Sequence, residues 1–255
     1  MNRTIIDIHI LQTVPPSNLN RDDTGSPKTA VYGGVRRARV SSQAWKRATR
    51  TMFASELDTS ELGLRTKRVV EVLSERIRAR APELDDRSEE LAKATLEAVG
   101  IKTSPAGKGK ADESGYLLFL SARQYDNLAE AAVAASAEKD LKAGLKARDV
   151  RKLADHGHSV DIALFGRMVA DASDLNVDAA AQVAHAISVH AVENEYDYYT
   201  AVDDRKEDQE ETGAGMIGTV EFNSATLYRY ANVDVNRLMD NLGDQEATRR
   251  AVEAF

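Results

Sequence analysis

The hydrophobic pattern changes period along the chain. Over residues 4–12, Ile6, Ile8 and Ile10 share one face at period two, which predicts a strand. Pro15-Pro16-Ser17-Asn18 is expected to end it. Residues 17–36, punctuated by Gly25, Pro27, Gly33 and Gly34, read as a long loop, and residues 37–41 as a second short strand. Ser41 or Ser42 can then cap a helix running to about Leu57. In that helix Gln43, Lys46, Arg47 and Arg50 recur at i, i+3, i+4 and i+7, a basic stripe pointing outward. Trp45, Ala48 and Met52 lie on the opposite, apolar side, which needs a core.

From about residue 66 to 155 the period is mostly helical. Val69, Val70, Leu73 and Ile77 make one apolar stripe, and Leu91, Ala94, Thr95 and Ala98 a second. Residues 103–115 read as a loop, Tyr116 to Ser121 as a strand, and two alanine-rich helices follow. Strands are then expected over 160–168, where alternation is weak, and over 181–192 and 219–230, where it is clear. Between the last two, residues 193–218 hold nine acidic and two basic side chains and three glycines. That stretch is too polar for a core and predicts a projecting hairpin or arm. Asp234 and Asp244 are placed to cap two last helices. The 66–155 block reads as a helical insertion, since strands resume after it.

The chain has 255 residues, enough for one large domain or two small ones. It contains no cysteine, which excludes disulfides, cysteine-bearing zinc sites and thiol catalysis. No apolar run approaches the roughly 20 residues that span a bilayer, and Met1 to Asp7 shows no signal-peptide core. A cytoplasmic protein without a membrane partner is expected.

Charge alters the picture more than composition does. The net charge is -7, from 34 basic and 41 acidic residues, which argues against a generic nucleic-acid binder. Yet Thr24 to Arg50 holds seven basic residues (Lys28, Arg36, Arg37, Arg39, Lys46, Arg47 and Arg50) and no acid. One basic patch sits on an acidic body. Tyr32-Gly33-Gly34-Val35-Arg36-Arg37-Ala38-Arg39-Val40-Ser41-Ser42-Gln43 offers a glycine pair for close backbone approach, then a helix N-terminus suited to phosphate. Such a site reads sugar-phosphate and carries little that identifies a base. The plainer alternative is a capped amphipathic helix with a solvated face.

Other constellations are weaker. Asp22-Asp23 can hold Mg²⁺ or position a water, but adjacent loop acids more often bond backbone or an arginine. His156 and His158 would lie on opposite sides of an extended chain with no third histidine near, which disfavours a metal. Five of the eight tyrosines fall between 196 and 230. Tyr228 and Tyr230 suit a core, whereas Tyr198 and Tyr199 suit a core or a stacked base equally.

The ordered series Ile8-His9, Leu19-Asn20-Arg21-Asp22-Asp23, residues 33–43, Asp161-Ile162-Ala163-Leu164-Phe165-Gly166-Arg167-Met168, Ala184-His185-Ala186-Ile187, Tyr199-Thr200-Ala201-Val202-Asp203-Asp204 and Tyr228-Arg229-Tyr230-Ala231-Asn232 resembles the CasC family. These are the backbone subunits of Cascade, the type I-E CRISPR surveillance complex. The resemblance implies an α+β fold: an RRM-like (ferredoxin-like) palm over 1–65 and 156–255, a mainly helical finger insertion over 66–155, and a thumb at 193–218. It implies RNA contacts at Arg21, Lys28, Ser41, Gln43, Lys46 and Arg50 in the palm, at Met168, and at Tyr199 and Thr200 at the thumb base. Arg36, Arg39 and Arg47 join them from the basic patch. The expected function is sequence-independent binding of CRISPR guide RNA in a head-to-tail helical filament that presents the guide to invading DNA, with other Cascade subunits as partners. No catalysis and no cofactor are expected. The alternative is a metal-dependent ribonuclease subunit acting through Asp22 or Asp23, as in backbone subunits of other CRISPR classes. The family runs on past the position matching Phe255, so part of the palm is expected beyond this sequence. The Gly/Lys-rich loop at 105–115 has no counterpart in the resemblance.

Overall fold

The computed structural model describes residues 3–107, 109–201 and 216–255. The fold is α+β. Its strands are β1 (Ile5–Ser17), β2 (Thr29–Tyr32), β3 (Val35–Val40), β4 (Gly63–Thr66), β5 (Thr103–Ser104), β6 (Glu113–Ser114), β7 (Leu118–Ser121), β8 (Ala181–Val183), β9 (Ala186–Ser188), β10 (Glu195–Ala201) and β11 (Met216–Asp234). Its α-helices are α1 (Ser42–Glu56), α2 (Val69–Arg80), α3 (Ser88–Val99), α4 (Ala122–Ser136), α5 (Leu141–Ala147), α6 (Val150–Leu153), α7 (Val160–Phe165), α8 (Val235–Leu242) and α9 (Gln245–Ala254).

The chain divides into two compact units. The first comprises Met1–Ile6, Thr49–Gln182 and Val233–Phe255, the second Asp7–Ala48 and Val183–Asn232. These bounds follow packing and differ from the role-based palm and finger bounds, 1–65 with 156–255 and 66–155. The helical core of the first unit joins Leu73, Leu91, Leu96, Leu128 and Leu145 to Val169 and Leu175. The stripe Val69, Val70, Leu73 and Ile77 on α2 buries as its spacing predicts, whereas the buried face of α3 is Leu91, Ala92, Thr95, Leu96 and Val99, and Ala98, expected in that stripe, is exposed. The N-terminus of α4 is fixed by a capping box, in which the Ser121 hydroxyl accepts the Gln124 N–H at 3.0 Å and Gln124 Oε1 accepts the Ser121 N–H at 2.9 Å. A second cluster in this unit gathers Phe53, Leu164, Val233, Leu238 and Ala251.

The sheet centred on the second unit runs β1-β11-β9-β3-β2, with β8 and β10 both paired to β11. Alternation along the strands separates its faces. Val14, Ala38, Val40, Ala186, Ala225 and Leu227 form a core against Ala44 and Trp45 of α1. Arg229 on this side lies 3.8 Å over the Trp45 ring and donates to Gln12 Oε1 at 2.9 Å. That burial pushes its pKa down.

Several sequence expectations are corrected. Pro15 and Pro16 do not end β1, which continues to Ser17. β1 is an edge strand, where proline is tolerated. The expected loop over 17–36 contains β2, joined to β3 in the register Tyr32↔Val35. Gly33 and Gly34, both at positive φ (65° and 79°), therefore form a two-residue hairpin turn. Residues 160–168 are no strand: α7 occupies 160–165 and Gly166 ends it at φ 79°. A short run such as Ile162-Ala163-Leu164, buried all round, carries no period that separates helix from strand. The expected strand over 181–192 is two short ones, β8 and β9. In α1 the buried residue is Phe53, whereas Met52 is 57% exposed and Ala48 is exposed. The caps at Asp234 and Asp244 are present, their carboxylates accepting the N–H of Arg237 at 3.1 Å and of Ala247 at 2.6 Å.

Candidate nucleic-acid interface

The basic cluster of the second unit is assembled by one asparagine. Asn20 Oδ1 accepts the Ser41 N–H at 2.9 Å, and the Asn20 carbonyl accepts the Lys28 N–H at 2.8 Å. Lys28 O in turn accepts the Arg39 N–H at 2.8 Å. The loop bearing Arg21 and Lys28 is thus tied to the junction of β3 and α1. Inside that loop Asp22 Oδ1 accepts three bonds, from Thr24 Oγ1 (2.7 Å), Thr24 N (2.9 Å) and Ser26 N (3.1 Å). The Thr24 hydroxyl bond, with the backbone bonds behind it, holds the Asp22 carboxyl below its ordinary pKa. The sequence pattern assigns Arg21, Asp22, Asp23 and Lys28 here and gives Asn20 no role of its own. A polar residue beside the basic run was the available signal.

Ser41 is buried, and its hydroxyl accepts the Ala44 N–H at 3.2 Å. It caps α1 and is not displayed as a contact side chain. Gln43 and Arg47 are exposed on the first turns of α1, with Lys46 half-buried between them. Arg21 and Arg36 are exposed. Arg39 donates Nε to Thr29 O at 3.0 Å and a terminal nitrogen to His185 Nδ1 at 3.3 Å. Among the described residues none of Arg21, Lys28, Arg36, Arg37 and Arg39 forms an ion pair with a carboxylate. These side chains are thus not tied into ion pairs and can meet a polyanion.

The base of the arm is an antiparallel hairpin of β10 and β11, in register from Glu195↔Phe222 to Ala201↔Met216. Tyr199 faces Gly218, and its ring occupies the space a side chain there would need: an added Cβ would lie 2.5 Å from the ring. Thr200, Tyr196 and Tyr198 are exposed. Residues 202–215, most of the expected thumb, lie outside the described residues.

Arg50 and Met168 belong to the first unit. Arg50 does not point outward. Its Nε bonds Asp161 Oδ2 at 3.1 Å, and its guanidinium lies 4.4 Å over the Phe119 ring. Met168 is 80% exposed. The preceding Arg167 is buried, donating to Leu175 O at 2.7 Å and to Gln124 Oε1, Ala154 O and Asp155 Oδ1 at 3.2 Å each. Burial lowers its pKa to about 10. His158 bonds Gln124 Nε2 through Nδ1 at 3.1 Å, and burial, with Arg167 adding to it, brings its pKa down to about 4. Among the described residues no group of three or more His, Asp or Glu side chains is arranged to hold a metal ion.

The family model described as CT1975-like protein matches residues 6–255. The chain belongs to the CT1975-like family. A chain of a solved structure described as "CRISPR RNA-guided surveillance complex, pre-nicking" is 36% identical, with a TM-score of 0.84 over 98% of this CT1975-like protein and 70% of that chain. A second, described as "CRISPR RNA-guided surveillance complex", is 35% identical with a TM-score of 0.70 over the same shares. No curated protein matches the sequence. Among the described residues no helix of this family member is long and apolar enough to cross a membrane.

Proposed function

We propose that this CT1975-like chain is a guide-RNA-binding backbone subunit of a type I-E CRISPR surveillance complex. The observation that carries the reading is the Asn20 link, which fixes the loop bearing Arg21 and Lys28 to the junction of β3 and α1 that bears Arg36, Arg39, Lys46 and Arg47. The likeness to chains of RNA-guided surveillance complexes supplies the ligand class. Arg21, Lys28, Arg36, Gln43, Lys46 and Arg47 hold phosphates and riboses, so any guide sequence is accepted. The bases stay free to pair with invading DNA, and pairing carries the specificity. Residues 1–65 and 156–255 serve as an RRM-like palm. Tyr199 and Thr200, at the base of the arm, meet the strand beside it. Copies associate head to tail in a heterologous contact that does not close, giving a cytoplasmic filament whose length the RNA sets.

In this reading the chain is not an enzyme. Asp22 already spends one oxygen on three bonds within its own loop, which supports a structural role. Incubation of the assembled protein with guide, complementary RNA and Mg²⁺ is expected to leave both strands intact. Regular cuts that vanish in Asp22→Ala or Asp23→Ala would establish the nuclease instead.

The central test is purification of the full chain from cells carrying its CRISPR locus, followed by sequencing of bound nucleic acid. Repeat-derived small RNA is expected. Protein that assembles with no RNA bound would overturn the reading.

A further inference from the structure

The face of the second unit's sheet that points away from Ala44 and Trp45 is open, and the function proposed above makes no use of it. Tyr228 pairs with Ile187, and Ile187 pairs with Arg39, so these three side chains stand in one row across the sheet. His9 extends the row: its Nδ1 bonds the Tyr228 hydroxyl at 2.8 Å and its ring stacks on Tyr228 at 6.1 Å between centroids. Tyr230 adds a third ring, 5.0 Å from His9, and its hydroxyl donates to Asp7 Oδ1 at 2.7 Å. Both phenols are held by neighbours within the sheet. The rings are therefore fixed in place while remaining accessible, Tyr228 to 38%.

The opposite end of the row is cationic. Arg39 engages Nε with Thr29 O and one terminal nitrogen with His185. Arg37 donates to Tyr32 O (3.0 Å) and Ser188 O (2.7 Å), and its guanidinium lies 5.6 Å from the Tyr32 ring centroid. Neither meets a carboxylate among the described residues. Asp7 stands at the far end of the row. A fixed aromatic platform beside guanidinium groups matches the two parts of a nucleotide, a flat base and a phosphate. A positive end beside flat rings suits a polymer that carries both a base and a phosphate.

We propose that this open face is a stacking site for unpaired nucleobases of a single-stranded nucleic acid, separate from the sugar-phosphate edge around Lys28 and Lys46. Bases stack on His9, Tyr228 and Tyr230, and Arg37 and Arg39 meet the adjoining phosphates. Every base has a π-face, so the site accepts any sequence.

The test uses the full-length protein and a single-stranded oligonucleotide carrying 5-iodouridine. Irradiation of the wild-type complex is expected to crosslink peptides containing His9 or the Tyr228–Tyr230 pair. Crosslinks confined to residues 19–31 and 41–50 would overturn the proposal while leaving the edge reading intact, and an absence of all crosslinks would count against both. Tyr228→Leu with Tyr230→Leu is expected to weaken oligonucleotide binding about tenfold. Its salt dependence should stay unchanged, because no phosphate contact is removed. If sedimentation instead shows the wild type self-associating without nucleic acid, and this variant monomeric, the face is a protein interface and the proposal fails.

Discussion

Arg50 Nε lies 3.1 Å from Asp161 Oδ2, and Asp161 is otherwise fully occupied inside the first unit. Its Oδ1 accepts the Ser159 hydroxyl at 2.6 Å, the Gly63 N–H at 3.0 Å and the Ile162 N–H at 3.1 Å. A basic residue that the helical stripe aims at solvent is thus drawn into a buried carboxylate. Asp161→Ala leaves the half-buried Arg50 charge and the Gly63 N–H without that partner, and is expected to cost about 3 kcal/mol in urea unfolding. Arg50→Ala should lower stability too, yet leave the salt dependence of RNA binding unchanged. A flatter salt dependence in that variant would return Arg50 to the RNA contacts.

Asn20 is expected to organise the interface without touching RNA. Asn20→Ala removes the acceptor of the Ser41 N–H and should cost about 1 kcal/mol of stability. It should also speed hydrogen exchange at the Ser41 and Lys28 amides and weaken guide binding. Unchanged exchange at both amides would show that the loop is held otherwise.

Lys46→Ala with Arg47→Ala tests the phosphate edge directly. Each phosphate neutralised on a single strand contributes roughly 0.7 to the slope of log K against log[salt]. Loss of two contacts should flatten the slope by about 1.4, read by fluorescence anisotropy over a salt series. No change would place the RNA elsewhere.

At the base of the arm the Tyr199 ring fills the space above Gly218. Gly218→Ala must push that ring away, since the new methyl would sit 2.5 Å from it. The Tyr199 ring resonances are expected to shift in a selectively labelled sample. A spectrum identical to wild type would mean the ring is not packed there.

His158 gives a pH signature. Its folded pKa is brought down to about 4 from an ordinary 6.5, chiefly by burial. The unfolded chain therefore binds the proton first, and stability falls as the pH drops from about 6.5 to about 4. His158→Gln should remove that share of the decline in melting temperature between pH 7 and pH 5. An identical decline in both proteins would exclude His158 as its source.

Some of this protein was legible in its sequence because the signal was local. The caps at Asp234 and Asp244, the apolar stripe on α2 and the start of α1 depend on residues a few positions apart, and they stand where the pattern puts them. The family was legible for a different reason: an ordered series of landmarks runs nearly the whole chain.

What the sequence by itself determined was therefore the class of elements, the family and the basic run between Lys28 and Arg50. The tertiary structure alone decided what each cation does. Arg50 turns to Asp161, 111 positions along the chain, Arg37 to the Ser188 carbonyl 151 positions away and Arg39 to His185 146 positions away. It also decided that Pro15 and Pro16 fall on a sheet edge and that Gly33-Gly34 is a hairpin turn. The physical reason is one of range. Period and capping are set by neighbours in the chain, whereas a charge or a strand edge is satisfied by whichever group the fold brings within about 3 Å.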